Sequence, residues 1–149
     1  MMSVTVGYLL DTNILIALIR ANPLGQFIDA QYGLRSALNR SMISVVTVGE
    51  MHSLVRQFNW GKQKIETLES LLGELVWLDI NNPQIYESYA NIDHASLAAG
   101  KRMGKNDVWI AATARVTEAT LLTTDPDFDH LHKTWIERIL VNPNFNNTQ

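Results

Sequence analysis

Four acidic residues stand where a carboxylate is chemically conspicuous. Asp11 follows Tyr8-Leu9-Leu10, Glu50 follows Val48-Gly49, Asp107 precedes Val108-Trp109-Ile110, and Asp125 follows Leu121-Leu122-Thr123-Thr124. Carboxylates brought together repel one another unless they are protonated or share a cation. The chain contains no cysteine, so such a cluster would offer oxygen ligands only. That donor set suits a hard divalent ion such as Mg²⁺ or Mn²⁺. An ion of this kind can polarise a phosphoryl oxygen and activate a water for in-line attack. The plain alternative for Asp11 is a helix cap or turn residue, a common use of aspartate.

The elements between these acids are what must bring them together. Val4 to Leu10 has the β-branched, aromatic and apolar content of a strand buried on both faces. Thr12 or Asn13 can cap a helix beginning near Ile14, which Arg20, Asn22 and Pro23 end. Gly25 to Asn39 has apolar residues at helical spacing. Met42 to Val46 reads as a second strand, and Val48 to Phe58 as a helix with Glu50 in its first turn. Ile65 to Leu72 marks a helix closed by Gly73, Leu75 to Ile80 a third strand, and Pro83 to about Ala99 a helix that proline opens. A basic loop, 100–105, leads to a buried helix over 108–114 with Asp107 at its beginning. Leu121 to Thr123 and Arg138 to Val141 are the remaining strands, and 142–149 reads as a flexible tail. Strands alternating with helices give a parallel sheet, whose strand ends of one polarity share one edge. Ligands of open α/β sheets bind at that edge.

Composition narrows the classes of function. A chain of 149 residues with 46% hydrophobic and 18% charged residues fits one globular domain, 1–149, with a substantial core. No internal repeat or interdomain linker interrupts it. The absence of cysteine excludes a disulfide scaffold, a thiolate zinc site and a cysteine nucleophile. It fits a cytoplasmic protein. The first residues lack a basic segment followed by a long apolar run, and no apolar run spans a bilayer, so no membrane role is expected. The formal net charge of -3 argues against wholesale electrostatic binding of nucleic acid. A basic rim around an acidic site remains compatible with a nucleic-acid substrate.

Taken in order, these stretches resemble the PIN-domain nucleases, and within them the VapC-like toxins of bacterial toxin–antitoxin pairs. Tyr8-Leu9-Leu10-Asp11-Thr12-Asn13 is similar to the family's opening motif, and Val48-Gly49-Glu50 to its internal glutamate. Asn106-Asp107-Val108-Trp109-Ile110-Ala111-Ala112-Thr113-Ala114 is similar to its most specific stretch. Leu121-Leu122-Thr123-Thr124-Asp125-Pro126-Asp127-Phe128 is similar to its last acidic motif. Together they cover about Val4 to Val141. The resemblance implies a three-layer α/β/α sandwich around a central parallel sheet. It implies Mg²⁺-dependent cleavage of RNA, with Asp11, Glu50, Asp107 and Asp125 as metal-site acids and Thr123 hydrogen-bonded within the site. A cognate antitoxin and a homodimer are the partners it implies. The chain departs from a minimal toxin of this type by a longer, more helical segment over 23–40, and by two glycines and three basic residues in the loop before Asp107.

Other residues have two readings each. Asp127 is read first as a turn cap before Phe128, with a fifth ligand role as the alternative. Asn13 is a possible support of the site. Lys101, Arg102 and Lys105 are candidates for RNA phosphate contact, against the plain reading of a soluble loop. The histidines His52, His94, His130 and His132 have no zinc-ligand spacing. Trp109 reads as core and Arg115 as structural. Competing functions are a housekeeping RNA-processing nuclease and a catalytically silent binding module, the second disfavoured by the four intact acids. A phosphoryl-aspartate phosphatase would need an aspartate at position 13, where Asn13 stands.

Overall fold

The computed structural model describes residues 7–20, 22–34 and 40–144. Five parallel strands form one sheet: β1 (Tyr8–Leu10), β2 (Met42–Ser44), β3 (Val76–Leu78), β4 (Thr120–Thr123) and β5 (Glu137–Leu140). Their order is β3-β2-β1-β4-β5. The chain thus builds outward from β1 to one side and returns to its other side with β4. The reversal falls between β1 and β4, which is where open sheets of this type leave a crevice.

Alternation along the strands makes two cores. Leu10, Ile43 and Leu122 face one way, against α1 (Thr12–Arg20), α2 (Pro23–Tyr32), α3 (Val45–Gln57) and α4 (Lys62–Glu74). Leu9 and Leu121 face the other, against α5 (Pro83–Ala98), α6 (Lys105–Thr117) and a 3-10 helix over Pro126–Leu131. Successive strand side chains point to opposite faces, so Leu9 and Leu10, both fully buried, lie in different layers. This is the α/β/α sandwich expected from the sequence. No helix among the described residues is long and apolar enough to cross a membrane.

Several boundaries differ from the sequence reading, each for a local reason. The strand expected over Val4–Leu10 is seen at Tyr8–Leu10; Val4 to Val6 lie outside the described residues. Helix α1 starts at Thr12, because Asp11 itself takes the cap position: the Ile14 N–H donates to its carbonyl at 3.0 Å. Neither Thr12 nor Asn13 is the cap. Asn22 and Pro23 begin α2 instead of only ending α1. The Asn22 side chain accepts from the Gly25 N–H, and proline occupies the first turn, where its missing N–H costs nothing. That helix stops at Tyr32 because Gly33 adopts φ 56°, a left-handed cap suited to glycine; positions 35–39 of the longer helix expected there lie outside the described residues. Gly25 permits α2 to lie close to α1, since a methyl group there would collide with the Ala17 carbonyl.

The second strand ends at Ser44 rather than Val46. Its hydroxyl accepts from the Val46 N–H at 3.0 Å and starts α3 three residues earlier than Val48. Glu50 consequently lies in the second turn, not the first. Helix α4 runs through Gly73 to Glu74, and α6 begins at Lys105, so the basic loop shortens to 100–104. The 3-10 helix was not expected. Of the tail, 142–144 are described and 145–149 are not.

Candidate active site

Asp11 leaves β1 at the centre of the sheet, and its N–H continues the ladder to the Leu122 carbonyl of β4 at 3.0 Å. Only 4% of it is exposed. Both carboxylate oxygens are held. The Thr12 N–H donates to Oδ1 at 2.8 Å, and the Thr123 hydroxyl donates to Oδ2 at 2.7 Å. The same hydroxyl accepts from the Asp125 N–H at 2.9 Å. Thr123 therefore orients two acids at once, which explains a fully buried threonine at the end of β4. Replacing it with the near-isosteric valine leaves Asp11 Oδ2 and the Asp125 N–H without that partner. Thr123→Val is expected to destabilise by about 1–3 kcal/mol and to lower cleavage roughly 10–100-fold, the usual effect of losing a group that orients a metal-site residue. Thermal melts and RNA cleavage check this. Thr123→Ser should recover most of both, and a valine variant equal to wild type would remove Thr123 from the site.

Glu50 arrives from α3 and accepts from the Thr12 hydroxyl at 2.8 Å. Thr12 thus ties the acid of α3 to the end of β1. The sequence reading gave Thr12 only a capping role, although its place directly after Asp11 was the available signal. Asn13 Oδ1 accepts from the Thr124 N–H at 3.3 Å, which ties α1 to the end of β4. Asp107 sits in the first turn of α6.

Asp125 caps the 3-10 helix, its Oδ1 accepting from the Asp127 N–H at 2.9 Å. The capping role assigned to Asp127 thus belongs to Asp125. Relieved of it, the Asp127 carboxylate joins Asp107 and Asp125, with one oxygen of each within 4.8 Å of the others. Asp127 stays exposed, and the 3-10 turn that brings it beside the other two has no strong hydrophobic period to read in the sequence.

The acids also act on one another electrostatically. Burial is the largest cause that pushes the Asp107 carboxyl from 3.8 up to about 7, followed by the charges of Asp11, Asp125, Glu50 and Asp127. Asp11 is also raised, chiefly by burial and further by Glu50 and Asp125; the Thr123 and Thr12 hydrogen bonds oppose the shift. A helix N-terminus lowers a carboxyl pKa, so at Asp107 repulsion and desolvation outweigh the α6 dipole. Among the described residues, no lysine or arginine forms an ion pair with these acids; the pairs are Lys62–Glu66 and Arg138–Asp129. An oxygen-only donor set with this uncompensated charge fits a hard divalent cation.

Two clefts flank the acids. One of about 550 Å³ runs past Glu50 between α3 and α6, lined in part by Val46, Ser53, Asn106 and Trp109. Trp109 is only partly buried, with its ring 4.2 Å from that of Tyr89. The other, of about 480 Å³, lies beside Asp127 and the basic loop. Lys101 and Arg102 line it; Lys105, on α6, is not among its lining residues. Arg115 lines neither: it donates to the Trp135 carbonyl at 3.0 Å and stacks over that ring.

Comparison with known proteins agrees with this architecture. Residues 8–133 match the family described as PIN domain. Ribonuclease VapC2 of Haemophilus influenzae is 30% identical over 118 residues, which span 79% of this chain and 85% of that protein. The solved VapBC-1 from nontypeable Haemophilus influenzae superposes with a TM-score of 0.74 at 27% identity, covering 90% of this chain and 97% of the other. A member of the VapBC family of toxin–antitoxin systems, VapBC-5 from Mycobacterium tuberculosis, gives 0.67 at 26% identity, covering 91% and 98%. A family match over most of the chain, joined to a curated relative of this identity and coverage, makes the chain a member of the PIN-domain family, among the VapC ribonucleases.

Proposed function

We propose that the chain is a ribonuclease that cleaves RNA phosphodiester bonds with a divalent cation, Mg²⁺ or Mn²⁺, and serves as the toxin of a toxin–antitoxin pair. The observation that carries this is the convergence of acids from distant segments: one oxygen each of Asp107, Asp125 and Asp127 lies within 4.8 Å of the others, and Asp107 is pushed up to about 7 by burial first and then by the charges of Asp11, Asp125, Glu50 and Asp127. Asp11, Glu50, Asp107 and Asp125 are the residues that would hold the ion, and Asp127 lies close enough to Asp107 and Asp125 to join those two. A bound cation supplies Lewis acidity and neutralises the gathered charge, so that a phosphodiester anion can approach.

The chain's own residues supply the rest. Thr12 and Thr123 fix both oxygens of Asp11, so the ligand is in place before substrate arrives and little reorganisation remains. The Thr12 hydroxyl fixes Glu50 in the same way. Asp107 is poised between protonated and charged near neutral pH, so proton and cation compete for it. A small antitoxin that reaches these acids would silence the enzyme, and an arginine among the carboxylates is the chemistry best suited to that. Such a toxin is expected in the cytoplasm, as a homodimer.

Labelled single-stranded RNA tests the reading. Cleavage is expected with Mg²⁺ or Mn²⁺, to stop with EDTA, and to return when the ion is restored in excess. Cleavage that persists through chelation would overturn the metal mechanism.

A further inference from the structure

The cleft beside Asp127 has features that cation binding does not require. One wall is the loop between α5 and α6, carrying Lys101, Arg102 and Met103; the other is the 3-10 helix, carrying Asp127, Asp129 and His130. Its volume of about 480 Å³ lies within the rough 300–1,000 Å³ range of small-molecule sites. Asp127 belongs both to this cleft and to the triad of Asp107, Asp125 and Asp127, so cleft and acidic centre are contiguous.

The walls are held in register from beneath. Ser96 of α5 is fully buried. Its hydroxyl contacts His130 Nε2 at 2.9 Å and Met103 Sδ at 3.4 Å, one group on each wall. The Lys101 N–H donates to the Ser96 carbonyl at 2.8 Å, and Met103 is buried against the second core. Gly100, at φ 76°, allows the chain to turn out of α5 into this loop. The His130 ring is therefore fixed whichever nitrogen carries the proton.

Charge in the cleft is unequal. Asp129 is drawn to Arg138, 3.2 Å away. Lys101 and Arg102 are exposed, and among the described residues neither has an ion-pair partner. Burial, the largest cause, and the charge of Lys101 push His130 below its ordinary value, against the opposing pull of Asp127 and Asp129. Two cations without an ion-pair partner among the described residues, in one cleft with a fixed imidazole, match the two parts of a nucleotide: a phosphate, and a base that rings of this kind can stack on.

We propose that this cleft is a nucleotide subsite for single-stranded RNA, in which Lys101 and Arg102 hold a backbone phosphate neighbouring the scissile one and His130 contacts the attached base. The proposal rests on the ribonuclease reading and adds where the strand leaves the acidic centre. Ser96 is a positioning residue in it. The subsite gives Gly100, Lys101 and Arg102 a purpose beyond solubility.

The test measures binding of a fluorescent single-stranded RNA by anisotropy across a salt series, with Ca²⁺ present to neutralise the acids. For Lys101→Ala with Arg102→Ala, the slope of log affinity against log salt is expected to shrink by about 0.7, the contribution of one neutralised phosphate on a single strand. His130→Ala is expected to weaken binding roughly tenfold, the lower part of the range for losing one base–aromatic contact, with the slope unchanged. It should also raise the KM for RNA more than it lowers kcat and shift the preferred cleavage position. His130→Gln serves if the alanine variant folds poorly. The rise in Tm on adding Mg²⁺ should remain in every variant. Cleavage by wild type, with affinity, slope and cleavage position unmoved in the variants, overturns the subsite and leaves the ribonuclease standing. Loss of the Mg²⁺-induced rise shows the cleft merely props up the acidic centre and also overturns it. A wild type that neither binds nor cuts RNA sinks the ribonuclease reading and the subsite with it.

Discussion

Asp11→Asn should lower RNA cleavage by at least about 10²–10³-fold, the loss typical when one electrostatic partner is removed from a centre where charge develops. The expected defect is chemical rather than structural. Asparagine has nearly the same volume, and its single carbonyl oxygen can still accept from the Thr12 N–H, which cannot turn away. The amide nitrogen then faces Thr123, whose hydroxyl oxygen has a lone pair to spare beside the one used by the Asp125 N–H. The hydroxyl proton must turn elsewhere, a cost of the order of one hydrogen bond, about 1 kcal/mol. Against it stands relief of the burial and repulsion that raise Asp11. The two nearly offset, so the variant should fold while losing a ligand charge. In cells, wild type is expected to arrest growth and Asp11→Asn to leave it unaffected at matched soluble levels. Cleavage by the purified variant within about threefold of wild type would mean that Asp11 is a buried cap with no part in the reaction.

The residues that made the site legible in the sequence are those whose position is dictated by strand ends. Asp11 and Asp125 follow Leu9-Leu10 and Leu121-Leu122, and those pairs announce buried strands because both their residues must be apolar when a sheet is covered on both faces. Asp107 was legible because the small residues from Ala111 to Ala114 read as a helix enclosed by other elements, and all four are buried. Boundaries set by one side chain competing for a backbone N–H were not legible. Ser44 ends β2 and starts α3 through a single hydroxyl contact, while Val45 and Val46 carry strand propensity that tertiary context overrides. The shift moved Glu50 by nearly a turn without removing it from the site, because Thr12 reaches it there. Asp127 and His130 lie on a 3-10 turn, and six residues of that geometry leave too little periodicity to read. Pairing of Ser96 with His130 spans 34 residues, and no spacing rule connects them.

Without metal, Asp107→Asn should melt higher than wild type near pH 8. Partial burial and, after it, four neighbouring carboxylates hold the folded Asp107 at about 7, against 3.8 unperturbed. A carboxyl raised in the folded state contributes stability that is fully present below the unfolded value. That contribution is lost as pH rises through the folded one. Wild type should therefore lose stability between about pH 4 and pH 7, while the variant has no such group to charge. The gap in Tm should open across that window and stay constant above it. Asp107 is only partly buried, so solvent screening reduces the gain well below the full linkage value, to roughly 1 kcal/mol. For a chain of 149 residues that corresponds to about 3 °C. The opposing loss is the favourable placement of a negative charge in the first turn of α6, about 0.3–1 kcal/mol for an exposed group. The raised value already includes it, so the net sign stands. A cation binds the folded arrangement alone and stabilises it by mass action. Wild type should thus gain more from saturating Mg²⁺ than the variant, which lacks one ligand charge, and the order of melting should reverse. Melts in EDTA from pH 4 to pH 8, repeated with Mg²⁺, decide the matter. A variant that melts lower in EDTA at pH 8 and gains as much from Mg²⁺ as wild type would make Asp107 a helix-terminal acid outside the metal site.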